Sequence, residues 1–225
     1  NFYAGWKDRA GGRRIDFETM SRSLCLWRVD GFRDDEAKQF GMRHLSTWVP
    51  LHAGTTKLEP EDDYAFLSGV AAGTSWAACL CNYAYQPTAG VNWFSSPDRE
   101  RFSWPFARRM IGLARRLRDY FAGDYIPFEF PEEGWRGYQL HRPEHDDGAV
   151  VVFRLPDSER DQQRLPLCGI DSEAEYRLDT DGTLSVRSGK DLQFLRWNLS
   201  QPRTAKVIFY QRTRAPEMAL PDRLG

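Results

Sequence analysis

At 225 residues the chain is long enough for one large domain or two small ones, with a real hydrophobic core. Its net charge of −1, with 28% charged residues, makes no case for nucleic acid or an anionic membrane as partner, and no apolar run reaches the length of a membrane span. Four cysteines without CxxC spacing (Cys25, Cys79, Cys81, Cys168) and four scattered histidines (His44, His52, His141, His145) offer no metal set, so no metal and no cofactor are expected. Each cysteine sits in apolar sequence and is expected to be a reduced, buried thiol. Aromatic residues make up 14% of the chain, with eight tryptophans. Aromatic faces suit sugars, but most of these rings are expected to fill a core.

In chain order, Arg14 to Leu24 reads as a helix with Ile15, Met20 and Leu24 partly on one face. "CLWRVD", Cys25 to Asp30, is a short apolar-rich strand followed by the loop "GFRDD". Asp34 to Trp48 is a second helix, with Asp34 and Asp35 as acids at its start. "VPLHAG" is a second strand, and "PEDDYAFLSGV" opens another helix with Pro60 near its first turn. "SWAACLCNYAY" is a third, buried strand. A long helix then follows, with Ser96 as N-cap, Pro97 at its first position and Gly123 just past its end. Phe106, Met110, Leu113, Leu117 and Phe121 recur on it at helical spacing, and its arginines form a solvated outer face.

Alternating strands and helices predict parallel βα units. After "IPFEFPEEG" the texture changes to short alternating stretches: "AVVVFRL", "AEYRLDT", "GTLSVRS" and "AKVIFYQR", broken by Asp, Gly and Pro turns. These predict an antiparallel β-sandwich with Trp135, Tyr138, Phe153, Phe194, Trp197, Phe209 and Tyr210 in its core. The expected fold class is thus α/β plus all-β: residues 1–130 α/β, residues 131–213 a sandwich, and residues 214–225 a tail. A closed (β/α)8 barrel needs roughly 250 residues, about twice what the α/β part offers. The chain is therefore either a small open α/β domain with a sandwich or, as we favour, the C-terminal half of a barrel followed by its sandwich.

The stretch "GGRRIDFETMSRSLCLWRVD" resembles the segment that family 36 glycoside hydrolases, the α-galactosidases and their relatives, carry across two barrel strands. In that family a glycine- and arginine-containing pattern ending in Asp is followed, eleven residues on, by Trp-x-Ser-Asp; here Asp16 and Trp27 stand at that separation and Asp30 falls on the final acid. The similarity continues through "YAFLSGVAAG" and "LPLCGIDSEAEYRL" to "PRTAKVIFYQR". The resemblance implies that Asp30 is the general acid/base of a retaining glycosidase. It places Gly11 where the backbone meets the sugar near its 2-hydroxyl, and Asp8 where the family has a sugar-contacting cysteine. Two departures stand out: Asp8 replaces that cysteine, and Val29 replaces the serine before the acid.

The chemistry fits the residues. Retaining hydrolysis uses two carboxylates about 5–5.5 Å apart. An acid ending an apolar run beside Trp27 is partly desolvated, which favours holding a proton. Trp27 either stacks on sugar or supports the strand. Arg14 touches substrate or, as the simpler reading, braces its loop through an ion pair with Asp16. The Lys-x-Asp-x-Asn nucleophile pattern of the family is absent, so the nucleophile is expected upstream and the isolated chain is expected to be inactive. The implied partner is an α-galactoside oligosaccharide, with no nucleic acid, no membrane and a possible homo-oligomer. The compartment is not fixed by the residues; the cytoplasm is favoured. Alternatives are an α-N-acetylgalactosaminidase or galactosyl transferase of the same family, or a non-catalytic carbohydrate-binding protein with aromatic rows on a sheet face.

Overall fold

Strand and helix alternate through the first described elements of the structure, a computed structural model that describes residues 26–29, 35–49, 51–58, 61–77, 102–130 and 133–213. Strand β1 (Leu26–Val29), helix α1 (Asp35–Ser46), β2 (His52–Lys57), helix α2 (Asp63–Leu67) and β3 (Gly73–Ala77) form a three-stranded sheet in the order β1-β2-β3. Both pairings are parallel: Leu26 lies opposite His52, and Ala53 opposite Gly73. This is the arrangement the alternation predicts, because a parallel neighbour requires a crossover. Two element starts differ from expectation: β2 begins at His52 rather than Val49, and α2 is capped by Asp62, whose carboxylate accepts the Ala65 N–H at 3.0 Å. The expected helix over residues 14–24, the expected third strand from residue 78 onward, Cys25, Cys79 and Cys81 lie outside the described residues.

The long helix starts later than read. Helix α3 (Trp104–Arg118) is capped by Ser103, whose hydroxyl accepts the Phe106 N–H at 3.2 Å, with Pro105 in the first turn. Pro105 is the physical reason. A helix continuing from Ser96 would need an N–H at 105 and would drive the proline ring into the preceding turn. Ser96 and Pro97 themselves lie outside the described residues. At its other end α3 tightens into a 3-10 turn (Asp119–Ala122), and Gly123 leaves it extended (φ −87°), not left-handed. A Cβ there would sit 2.3 Å from the His141 carbonyl oxygen. Gly123 thus serves a close approach to the sheet rather than a left-handed helix end.

The rest is mostly antiparallel. Strands β4 (Asp124–Pro127), β5 (Trp135–Arg142), β6 (Asp147–Arg154), β8 (Glu175–Thr180), β9 (Thr183–Ser188) and β11 (Thr204–Arg212) form a six-stranded sheet in the order β4-β5-β6-β11-β8-β9. Short strands β7 (Gln162–Arg164) and β10 (Arg196–Asn198) make a separate antiparallel ribbon, and helix α4 spans Gly189–Gln193. The β8–β9 turn carries Asp181 and Gly182 at φ 51° and 82°, the paired left-handed residues that a two-residue hairpin of matching twist demands.

Strand β6 explains the architecture. Every residue of it is buried, so "AVVVFR" is not a one-sided strand but the middle of a sheet covered on both faces. Ala149, Val151 and Phe153, with Val207 and Phe209 of β11, pack against Phe106, Met110 and Leu117 of α3 and against Tyr64 and Phe66 of α2. Val150, Val152, Ile208 and Tyr210 face the other way, toward Leu165, Leu167, Leu192 and Leu199. The second cover is therefore the β7–β10 ribbon, α4 and their loops rather than a full second sheet. Each fully buried side chain such as Met110, Leu117 or Leu165 contributes about 1.5–3 kcal/mol relative to exposure.

Of the rings expected inside, Trp135, Phe153, Phe209 and Tyr210 are buried and Tyr138 and Trp197 partly so. Phe194 is the exception. It is 58% exposed, just past α4, with the Arg164 guanidinium over its face at 4.6 Å. Cys168 also departs from expectation: its thiol is free and exposed, because the chain around it crosses the surface between buried Leu167 and Ile170.

Candidate active site

Connectivity alone assembles one edge of the parallel sheet. All three strands run the same way, so Val29, Lys57 and Ala77 end them on one side, and the helices that follow β1 and β2 begin there. In parallel α/β folds this edge carries the chemistry. Val29 lies opposite Gly54, so β1 stops short of the end of β2 at Lys57. Of the residues singled out in the sequence, Trp27 lies in β1 opposite Ala53. Asp8, Gly11, Arg14 and Asp30 lie outside the described residues.

The rim of this edge is laced with ion pairs that the sequence did not announce. Asp35, the first residue of α1, receives Lys38 at 3.3 Å and Arg203 at 2.8 Å. Asp62, the N-cap of α2, receives the other arm of Arg203 at 2.7 Å. Asp63 is held by both arms of Arg109 from α3, at 2.7 and 2.6 Å. Arg136 of β5 donates to the Glu36 carbonyl oxygen at 2.8 Å. Asp35 is thus the helix-start acid expected (Asp34 lies outside the described residues), and Asp63 is a further one, but each also has an arginine from outside the parallel unit. Arg203 lies in the left-handed region (φ 52°), 4.8 Å above the Tyr64 ring, which meets Phe153 edge-on at 5.7 Å. Burial works against the Arg203 charge, but Asp62 and Asp35 more than offset it and raise its pKa. Burial foremost raises the Tyr64 phenol.

The opposite edge contains a buried histidine–serine pair. His52, at the start of β2, is 1% exposed, with Nε2 2.7 Å from the Ser46 hydroxyl at the end of α1. Burial lowers its pKa to about 4, partly countered by a backbone hydrogen bond at Ala53. Both side chains are buried, at the start of β2 and the end of α1, away from the edge where the strands end. Nearby, Gly54 and Gly69 let strand and turn meet: a Cβ on Gly69 would lie 2.3 Å from the Thr55 carbonyl oxygen.

A concavity of about 520 Å³ lies between α3 and the β8–β9 turn, lined by Arg109, Leu113, Arg116, Asp179, Asp181 and Phe209. Arg116 binds Asp179 at 2.6 Å and covers the Phe209 ring at 3.5 Å, so no bare aromatic face is offered to a sugar. Its contact also lowers the Asp179 pKa. Exposed large aromatics among the described residues are Phe40, Trp48, Trp104 and Phe194, on different elements and in no row on a sheet face. Among the described residues no cluster of His, Cys, Asp and Glu is arranged to hold a metal, and no helix is long and apolar enough to cross a membrane.

No family model and no curated protein sequence matches the chain. Solved structures do. The galactosidase domain of the α-galactosidase–sucrose kinase AgaSK is similar over 90% of this chain, with a TM-score of 0.61 and 16% identity. The α-galactosidase from Lactobacillus brevis is similar over 91%, with a TM-score of 0.63 and 11% identity. The GH36 α-galactosidase AgaB from Geobacillus stearothermophilus is similar over 90%, with a TM-score of 0.62 and 13% identity. The chain spans only 27–28% of the length of these structures. At such identities the likeness is one of fold: the chain has the fold of a C-terminal part of family 36 α-galactosidases.

Proposed function

We propose that the chain is the later part of a (β/α)8 barrel with its C-terminal β unit, belonging to a retaining exo-glycosidase that removes terminal α-galactosyl residues. Asp30 is its general acid/base, and the nucleophile lies upstream. The observation that carries this reading is the position of β1: it is a parallel strand, and Asp30 is the next residue after its last, Val29. The matched share of the chain supports the same reading, because nine-tenths of it exceeds what the antiparallel unit alone occupies. The nucleophile would open the glycosidic bond while Asp30 protonates the leaving oxygen. Asp30 would then take a proton from the water that releases galactose with retained configuration.

The test is Asp30→Asn in the enzyme with its upstream segment present. The isosteric change keeps the fold and removes the proton donor. Turnover of a sugar aglycone should fall far more than that of a nitrophenyl galactoside, whose leaving group needs no proton. With the activated substrate, release of the glycosyl-enzyme stalls for want of a base. Azide needs no base and enters on the face water would have used, so it should restore turnover and give the α-galactosyl azide. Equal losses on both substrates without azide rescue would assign the acid to another residue.

A further inference from the structure

We propose that Arg203 is a positioning residue for the C-terminal edge of the parallel sheet: a clamp, carried by the antiparallel unit, that fixes where the helices after β1 and β2 begin. The inference rests on the reading of that edge as the active site. Arg203 lies in the connection from β10 to β11, yet its two Nη atoms reach Asp62 at 2.7 Å and Asp35 at 2.8 Å. These carboxylates belong to two different βα connections. One planar guanidinium spans them, which the point charge of a lysine cannot do.

The contacts do not compete with local ones. Asp62 caps α2 through Oδ1 and meets Arg203 through Oδ2, while Asp35 gives Oδ1 to Lys38 and Oδ2 to Arg203. Every acceptor atom has its own donor. Arg203 is held to this task by a left-handed backbone and by the Tyr64 ring beneath it, and such strain persists only where the surroundings over-determine it. Exposed ion pairs add little to stability, so the role that remains is geometric.

The geometry bears on the proposed chemistry. Residues 30–34 connect Val29, fixed opposite Gly54, to Asp35, fixed by Arg203. The starts of α1 and α2 form part of the edge that carries the proposed chemistry, and misplacing a catalytic group by about 1 Å can cost about a hundredfold in rate.

Arg203→Gln and Arg203→Lys test this, both in the present chain and in the enzyme with its upstream segment. Amide exchange should quicken about tenfold in the first turns of α1 and α2 with Arg203→Gln, while β6 and β11 keep their protection. Arg203→Lys should fall between, since one ammonium serves one carboxylate. On a nitrophenyl α-galactoside, kcat should drop about tenfold with KM within about twofold, and Arg203→Lys should rescue part of it. Unchanged exchange, or loosening that extends through β6, would overturn the clamp. Local loosening with unchanged kcat would overturn its positioning role. A wild-type enzyme inactive on α-galactosides that still showed the local exchange response would instead overturn the functional reading and leave the clamp in place.

Discussion

Acid should destabilise this protein well before its carboxylates titrate, and His52 is the reason. The imidazole is 1% exposed at the head of β2 and hydrogen-bonded through Nε2 to Ser46, and burial lowers its pKa from 6.5 to about 4. Between those values the unfolded chain binds a proton that the folded one refuses. Stability is therefore full above about pH 6.5 and falls as pH drops toward 4, the sign expected when the unfolded state holds more protons. Two and a half pKa units correspond to about 3 kcal/mol in total, of which about 2 kcal/mol is lost by pH 5. Urea unfolding followed by tryptophan fluorescence at about pH 7.5 and about pH 5 measures the difference, and His52→Gln supplies the reference. The variant should lose roughly 2 kcal/mol less than the wild type over that interval. If both lose the same amount, His52 is charged in the folded protein and the burial argument fails.

Gly69→Ala should cost about 1–3 kcal/mol, because its Cβ would lie 2.3 Å from the backbone oxygen of Thr55, whereas Gly112→Ala, with open space at mid-helix, should gain about 1 kcal/mol; opposite shifts in melting temperature check the pair. Arg154 is buried and donates to the carbonyl oxygens of Leu199, Ser200 and Ser158 at 2.7–3.0 Å, so Arg154→Met should cost about 3 kcal/mol in urea unfolding, and a loss below about 1 kcal/mol would show that water replaces it.

Local pattern made much of the fold legible. The apolar run at Leu26–Val29 announced a strand, and the spacing of Phe106, Met110 and Leu117 announced the buried face of α3. Where the reading missed, a local signal was usually present but outweighed. Pro105 forbids a helix running on from Ser96, yet "SSPD" is the more familiar start. Phe194 counts as core by residue type, but it follows a short helix whose buried contact is Leu192. The rim of the candidate site was a different case. Pro202–Arg203 reads only as a turn before a strand, and nothing local says that Arg203 meets Asp35, 168 residues earlier. Such pairings are made by the packing of one unit on another, which sequence periodicity does not encode.

The strand order also sets when this molecule can fold. Strand β11 lies between β6 and β8, so the two halves of the six-stranded sheet meet only through a segment made after both. A ribosome adding about 5–20 residues per second completes the β5–β6 and β8–β9 hairpins seconds before their shared neighbour is available. Until then β6 keeps open the edge that β11 later pairs, a row of unpaired backbone groups that invites pairing with another nascent copy. The sheet is a structure that closes from its middle, and the hazard of its assembly falls in the interval before residue 212 is free to enter it.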